Sequence, residues 1–214
     1  SAGLTLSDPY LVPGTGVLRN KFGILSADDL DRLVDDMVTI EAAYLFNEGP
    51  PVRPALAGWQ TVHRAMFGAV FDWAGDFRTI HIRKLDENGQ PSGYFARPDR
   101  IEADGRKAIR HLVTTLRRAA TDDIARIAGN LAEVYGQLNF LHPFREGNGR
   151  SQKVFFSAVC KPVGIELVWS AIPVEEHNVA ASRAMNDDPS LMKEHFRSIA
   201  KKSDRPGLKL RPGT

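Results

Sequence analysis

The sequence is poor in several features that would assign it to a special environment. It contains one cysteine, Cys160, so a disulfide within the chain is impossible and a cysteine-based zinc site is not expected. The net charge is only +2, which is too small to indicate a nucleic-acid partner. No apolar run approaches the roughly 20 residues that a membrane-spanning helix needs, so we expect no membrane partner. Internal repeats and low-complexity blocks are absent as well.

The composition is that of an ordinary domain with a core of its own. Of the 214 residues, 43% are hydrophobic and 25% are charged. Apolar residues recur at helical spacing along most of the chain. These stripes, with Ser26 and Thr121 as N-caps and prolines near the first turns of the last two helices, predict seven helices. They lie over residues 27–48, 56–74, 101–119, 122–141 and 149–160, and in two shorter segments that begin at Pro173 and Pro189. The helix after residue 149 is apolar nearly all round, which predicts a central position.

A single β-hairpin is predicted between the second and third helices. Residues 78–83 alternate between polar and apolar types, residues 86–89 have turn chemistry, and residues 93–96 form the return strand. We therefore expect a mainly all-α bundle with one small hairpin. Residues 9–24 are rich in proline and glycine and predict an ordered arm on the core, anchored by Tyr10, Leu11, Val17, Leu18 and Phe22. Residues 1–200 are assigned to this domain, and residues 201–214 to a basic linker towards a further C-terminal region.

The stretch from His142 to Arg150 carries the candidate chemistry. Gly147 and Gly149 let the backbone turn tightly and approach a ligand closely, where a new helix is predicted to begin. The unpaired N–H groups and the dipole at that helix start favour an anion such as a polyphosphate. Arg150 lies in the first turn, where a cation is unfavourable for helix stability, and a bound anion would explain its position.

Other side chains of this loop supply the remaining parts of a phosphoryl- or nucleotidyl-transfer site. Histidine ordinarily titrates near neutral pH, so His142 can take a proton from an attacking hydroxyl. Glu146 can bind Mg²⁺, which prefers oxygen ligands, and the Asn148 amide can donate to a phosphate oxygen. Lys153, one turn beyond Arg150, can reach a more distant phosphate. The loop therefore predicts an enzyme that transfers a phosphate-containing group.

Residues 142–153 resemble the signature of the Fic-domain family, His-x-Phe-x-(Asp/Glu)-Gly-Asn-Gly-Arg-x-x-Arg. Every fixed position matches except the last, where this chain has Lys153 in place of arginine. The predicted helices and hairpin are similar to a Fic core over residues 9–200, and in that family the hairpin is called the flap. The arm at residues 13–20 resembles that of Bartonella effector proteins and their conjugation-toxin relatives.

The resemblance implies a protein adenylyltransferase, which moves AMP from ATP to a serine, threonine or tyrosine hydroxyl of a target protein. His142 is then the general base, Glu146 binds Mg²⁺, and Phe144 is a core anchor that fixes the loop. Nucleotide binding is implied for the rest of the loop and the helix that follows it: Arg145, Gly147, Asn148, Gly149, Arg150 and Lys153.

Partners are implied by the same resemblance. The flap, with Ile82, Arg83, Lys84 and Leu85, would pair with an extended target segment by strand addition. Effector relatives suggest a small GTPase as the target and toxin relatives a topoisomerase, and no residue chooses between them. The family's inhibitory pattern, (Ser/Thr)-x-x-x-Glu-(Gly/Asn), does not occur in the sequence. That implies a separate small antitoxin chain if the enzyme is inhibited. We expect a cytoplasmic protein in the producing bacterium, or one translocated into a host cell as a secreted effector or toxin.

The same residues allow other interpretations. Lys153 either binds phosphate or extends its ammonium from an apolar helix to water. The hairpin either contacts the target or is structural, with Arg83 and Lys84 as edge charges that discourage aggregation. The loop either transfers AMP, transfers a different nucleotide or phosphate-containing group, or belongs to a degenerate binding module. The histidines other than His142 have no ligand spacing, so we expect them to be structural or solvated.

Overall fold

The computed structural model describes residues 8–85, 91–185 and 188–203. Within these residues it contains seven α-helices and two small antiparallel sheets. The helices are α1 (Ala27–Asn47), α2 (Leu56–Phe67), α3 (Ile101–Arg117), α4 (Ile124–Leu141), α5 (Asn148–Cys160), α6 (Val174–Met185) and α7 (Ser190–Ile199). The strands are β1 (Arg83–Leu85), β2 (Pro91–Tyr94), β3 (Ile165–Leu167) and β4 (Ala200–Lys202). The mainly helical fold with a small hairpin is therefore confirmed.

Helix α5 lies at the centre of the bundle, as its apolar composition predicts. It packs against α1, α2 and α4, and Phe155 and Phe156 are fully buried. Helices α6 and α7 begin next to Pro173 and Pro189, as predicted. None of the helices in the described ranges is both long and apolar enough to cross a membrane.

Helix α2 is shorter than predicted. It ends at Phe67 instead of Ala74, because the chain turns back after Gly68 and buries Val70 and Phe71 against the core. An apolar stripe continues through such a buried turn just as it would through a helix. The pattern therefore could not show where the helix stops.

The caps of α1 and α4 are side chains of the expected type, although one lies at another position. Ser26 caps α1 by accepting a hydrogen bond from the Asp29 N–H. Thr121 does not cap α4. Asp123 does, accepting from the Arg126 N–H at 2.9 Å, which moves the helix start two residues along the chain.

Both strands of the hairpin lie nearer its turn than predicted: β1 covers 83–85 instead of 78–83, and β2 covers 91–94 instead of 93–96. Strand β1 begins at Arg83, and Arg83 pairs with Tyr94 of β2. Residues 78–82 are not part of a strand, because the side chain of Arg78 is buried and binds carbonyl groups instead of pointing to solvent. The predicted turn at residues 86–89 lies outside the described residues.

The second sheet was not predicted, and it affects the proposed domain end. Strands β3 and β4 pair antiparallel, with Glu166 opposite Lys201, and the Ser203 N–H donates to the Gly164 carbonyl at 2.8 Å. Residues 201–203 therefore belong to the fold. Residues 204–214 lie outside the described part, and the linker stays a prediction.

The N-terminal arm lies on the core, held by some of the predicted anchors. Tyr10 and Val17 are buried, and Leu11 and Leu18 form an isolated antiparallel bridge. Phe22 is 53% exposed, so its assignment as an anchor was wrong. The backbone is nevertheless held at this point, since the neighbouring Lys21 N–H donates to the Val70 carbonyl at 2.9 Å.

Candidate active site

His142 occupies a backbone conformation that few residues other than glycine adopt. It follows the last residue of α4 with φ 43° and ψ 61°, and its N–H donates to the Leu138 carbonyl at 3.2 Å. Among the described non-glycine residues it alone has a positive φ. Pro143, the next residue, disfavours continuation of the helix. Strained backbone of this kind is concentrated at functional sites.

The contacts that orient the ring of His142 include a stacked ring and a backbone carbonyl. The His142 ring stacks on the Phe95 ring with centroids 3.8 Å apart, and Nδ1 lies 3.2 Å from the Asn139 carbonyl oxygen. A carbonyl can only accept a hydrogen bond, so this contact assigns the proton to Nδ1. Nε2 then carries the lone pair that a general base requires.

The loop after His142 is fixed from inside the protein. Phe144 is fully buried, and its ring stacks on His63 with centroids 3.9 Å apart. Asn148 is 3% exposed, and its amide binds both backbone groups of Phe144: Oδ1 accepts from N at 2.9 Å, and Nδ2 donates to O at 2.8 Å. The loop itself uses one N–H of this amide, and donation to a phosphate by the other stays a prediction. Nucleotide binding by the Asn148 backbone N–H stays a prediction.

The two glycines of the loop have different surroundings. Gly147 precedes α5 with φ +76°, and a Cβ added there would lie 2.3 Å from the Phe67 ring. A Cβ at Gly149 would meet nothing within 4 Å. Gly147 is therefore required by the fold, whereas the protein alone gives no steric reason for Gly149. That difference is expected if a ligand approaches the backbone at Gly149.

Glu146 and Arg150 form a charged group at the start of α5. The Glu146 Oε1 atom accepts from the Gly147 N–H at 2.7 Å and from Arg150 at 3.2 Å. Arg150 also pairs with Asp35 of α1, at 2.6 Å. The carboxylate of the loop itself thus lies on the N–H groups where the sequence predicts an anion. The site's preference for negative charge is visible without a ligand.

Two of the predicted nucleotide-binding residues are directed elsewhere. The Arg145 guanidinium pairs with Asp8 of the arm. The Asp8 Oδ2 atom lies 2.9 Å from Nε and 2.8 Å from Nη2, and both side chains are mostly buried. Nucleotide binding by Arg145 does not fit this arrangement. The Lys153 ammonium lies 5.8 Å from the centroid of Trp169, and partial burial lowers the pKa of this lysine. The ammonium therefore lies against an aromatic ring and is not extended into water, and phosphate binding by Lys153 stays a prediction.

The hairpin leads directly into the site. Strand β2 ends at Tyr94, and the next residue, Phe95, carries the ring that stacks on His142. Ile82 is half-buried and Arg83 is exposed, with its guanidinium 5.4 Å from the centroid of Tyr94. The backbones of Lys84 and Leu85 lie in β1, and their side chains are outside the described part.

His63 supports the loop, a role that sequence reasoning missed. Its Nδ1 accepts from the Gly75 N–H at 2.9 Å, which leaves Nε2–H to donate to the Glu146 carbonyl at 2.8 Å. Burial lowers the pKa of His63 to about 4, although the hydrogen bond to Glu146 opposes that shift. The sequence held one signal, since Trp59, His63 and Phe67 recur every fourth residue along one face of α2.

Comparisons with known proteins agree with this arrangement. A model of the Fic/DOC family matches residues 56–160, which run from α2 through α5. The "Probable protein adenylyltransferase Fic" of Escherichia coli strain K12 is 34% identical over 181 residues, which are 84% of this chain and 86% of that protein.

Two crystal structures of Bartonella effector proteins have the same fold. The N-terminal Fic domain of a VirB-translocated effector from Bartonella quintana, with bound ADP, matches with a TM-score of 0.80 and 28% identity. The match covers 91% of this chain and 95% of that one. BepC from Bartonella tribocorum, with bound AMPPNP, matches with a TM-score of 0.78 and 27% identity, over 91% and 97% of the two chains. With a relative 34% identical over most of both lengths, this chain belongs to the Fic/DOC family.

Proposed function

We propose that this protein is a protein adenylyltransferase, which transfers AMP from ATP to a side-chain hydroxyl of a target protein. The observation that carries the proposal is the loop between α4 and α5. It places an oriented imidazole at one end and an anion-binding helix start at the other. The name of the Escherichia coli relative and the nucleotides bound to the two Bartonella proteins support the same conclusion.

The chemistry assigned to His142 is that of a general base. The hydroxyl oxygen of the target attacks the α-phosphorus of ATP, while the bond from that phosphorus to the bridging oxygen of the β-phosphate breaks. Pyrophosphate leaves with the electron pair of that bond, and Nε2 of His142 accepts the hydroxyl proton. Phe95 and the Asn139 carbonyl hold the ring in the tautomer and orientation that this step needs.

The phosphates are assigned to the backbone at the start of α5. The N–H groups of residues 147–149 and the Arg150 guanidinium would bind the α- and β-phosphates. Glu146 must then leave the Gly147 N–H, because a phosphate and its carboxylate compete for the same donor. Gly149, where the protein leaves open space, lets the nucleotide approach closely.

The site has a carboxylate suited to Mg²⁺. Glu146 accepts its hydrogen bonds from Gly147 and Arg150 through Oε1, so Oε2 is available to a cation, and the whole carboxylate can turn to that cation once phosphate takes the Gly147 N–H. The described residues contain no cluster of three or more side chains that would hold a metal alone. Mg²⁺ at nucleotide sites needs only one or two carboxylates together with phosphate oxygens, so the residues fit this ion. When bound, Mg²⁺ neutralises phosphate charge during transfer.

Target presentation is assigned to the hairpin. An extended segment of the target would add to the edge of β1 through main-chain hydrogen bonds and bring its hydroxyl towards His142. Phe95 joins the hairpin to the base, which favours this role over a purely structural one. A small GTPase as target, a separate antitoxin chain and translocation into a host cell remain proposals from the family resemblance.

The proposal is tested with ATP that carries ³²P at either the α- or the γ-phosphate. We expect added protein to raise the label that α-³²P-ATP leaves on protein in bacterial or animal-cell lysate with Mg²⁺, relative to lysate alone. Label from γ-³²P-ATP, which endogenous kinases also transfer, should not rise above lysate alone. His142→Ala should abolish the added α-label, and His111→Ala, a matched change on α3, should not. A rise in γ-label on addition of the protein, or added α-label that survives His142→Ala, would contradict the proposed reaction.

A nucleotide competition separates the related alternatives. Because Lys153 replaces the final arginine of the family signature, the preferred donor is worth testing directly. GTP, UTP or CTP outcompeting ATP, with a matching mass on the modified protein, would indicate a different donor. If no nucleotide binds by calorimetry, the chain is a degenerate binding module.

A further inference from the structure

Arg78 is a buried arginine without a carboxylate partner. Arg78 is 2% exposed, and no salt bridge joins its guanidinium to an acidic side chain in the part of the chain that the structure describes. Arginine is rarely buried unless its charge is paired. The guanidinium here is surrounded by backbone carbonyl oxygens instead.

These carbonyls come from three places. Two belong to the end of α4: Nε donates to the His142 oxygen at 2.8 Å, and a terminal nitrogen donates to the Leu141 oxygen at 3.3 Å. A third is the Ile80 oxygen, at 2.6 Å, which precedes β1. The fourth is the Ala96 oxygen, which follows β2. The Arg78 side chain therefore binds the backbone of His142, the proposed base, and the segments that precede and follow the hairpin.

The charge of Arg78 is compatible with this position. Burial lowers its pKa to about 10, which still leaves the guanidinium protonated at neutral pH. The end of an α-helix carries partial negative charge, so the carbonyls of Leu141 and His142 favour a cation there. A lysine would keep the charge, but its single ammonium cannot donate to four oxygens in a fixed plane.

Further contacts link the same segments. The Arg78 N–H donates to the Pro143 carbonyl at 2.8 Å, and the Ala96 N–H donates to the Phe140 carbonyl at 3.0 Å. Phe95, next to Ala96, stacks on the His142 ring. The end of the hairpin therefore contacts the His142 ring through Phe95 and the last turn of α4 through the backbone of Ala96.

We propose that Arg78 is a positioning residue for the transfer reaction, one that fixes the hairpin and His142 in a single geometry. This inference rests on the proposed function, since it assigns target presentation to the hairpin and proton transfer to His142. It assigns Arg78 no part in nucleotide binding. The start of α5 is held by other contacts, namely the Asn148 amide on Phe144 and the His63 ring on the Glu146 carbonyl.

Arg78→Lys should therefore slow AMP transfer without changing the affinity for nucleotide. Displacing the base or the hairpin by about 1 Å should lower the transfer rate by about 100-fold, because reaction depends on the geometry of attack. The dissociation constant for Mg²⁺ and AMPPNP should stay unchanged. Arg110→Lys, a matched substitution on the exposed face of α3, should change neither quantity.

The experiment uses the whole chain with three readouts: calorimetry with AMPPNP, transfer of α-label in lysate, and amide hydrogen exchange. Exchange in Arg78→Lys should rise in residues 80–85, 91–96 and 141–144 and stay unchanged in α3 and α7. Wild-type transfer rates in the variant, equal losses of nucleotide affinity and transfer, or faster exchange throughout the protein would each overturn the inference. If the wild type transfers no label, the proposed function fails, and the exchange pattern alone decides whether Arg78 joins these segments.

Phe95→Leu provides a second test if Arg78→Lys does not fold. It removes the stack on His142 but leaves the contacts of Arg78 intact. The inference requires the contact between the hairpin end and His142 to matter for turnover, so it predicts a lower transfer rate with unchanged AMPPNP affinity. An unchanged transfer rate would remove that premise and overturn the inference.

Discussion

The charged groups at the start of α5 bind one another in the absence of a ligand. Glu146 binds the Gly147 N–H with its own carboxylate, and Arg150 is shared between Glu146 and Asp35. A nucleotide must replace these internal contacts, so its affinity is a difference between two sets of charge-assisted hydrogen bonds. At this scale the residue types were predictable, because the chemistry of phosphate transfer selects them.

The partners of these side chains were not predictable. Asn148 and Arg145 have the types expected for phosphate binding, yet one binds the loop backbone and the other binds Asp8. Where a side chain points depends on the left-handed turn at Gly147 and on a residue 137 positions away in the chain. Neither can be obtained from the spacing of residues within a motif.

The two loop glycines should respond to alanine in opposite ways. Gly147→Ala should destabilise the fold by about 1–3 kcal/mol, because the new methyl group meets Phe67 and the backbone has a positive φ. Gly149→Ala should fold as stably as the wild type or more so, since alanine favours a helix. It should weaken AMPPNP binding if the backbone approaches phosphate there. Denaturant unfolding and calorimetry test both, and weak folding of Gly149→Ala would contradict the assignment.

At the scale of elements, α2 is the platform on which the catalytic loop rests. Trp59 donates to Ser151 of α5 at 3.0 Å, and His63 donates to the Glu146 carbonyl. The stripes of apolar residues correctly predicted that these helices exist and roughly where they lie. The patterns did not show where α2 ends or where β1 begins. A buried turn follows α2 with the same apolar spacing as a helix, and the buried Arg78 occupies a position that a polar residue of a strand would also occupy.

The support from His63 should make the fold sensitive to acid. Its pKa is about 4 in the folded protein and 6.5 ordinarily, so the unfolded chain binds the proton first as the pH falls. The stability is complete above pH 6.5 and declines towards pH 4, by about 2 kcal/mol at pH 5 from this residue alone. His177, whose pKa burial also lowers to about 4, adds to the same trend.

His63→Gln tests this attribution. The variant should be less stable than the wild type at pH 7.5, but it should lose less stability between pH 7.5 and pH 5. His111→Gln serves as the matched control on α3. Denaturant unfolding at the two pH values measures the difference, and an identical pH dependence in His63→Gln and wild type would contradict the role given to this ring.

Over the whole molecule, distant parts of the chain meet at one loop. The arm contributes Asp8, α1 contributes Asp35, α2 contributes His63, and the segment before the hairpin contributes Arg78. The overall class and the position of α5 followed from composition and periodicity. The pairing of β3 with β4 did not, because three-residue strands far apart in the chain leave almost no pattern in the sequence.

A crystal structure of the wild-type protein with Mg²⁺ and α,β-methylene ATP tests the central claim most directly, because this analogue cannot be cleaved at the α–β bond. We predict phosphate oxygens on the N–H groups of residues 147–149 and the Glu146 carboxylate moved from the Gly147 N–H to Mg²⁺. The α-phosphorus should face Nε2 of His142. A nucleotide bound elsewhere, with Glu146 still on Gly147, would contradict the account.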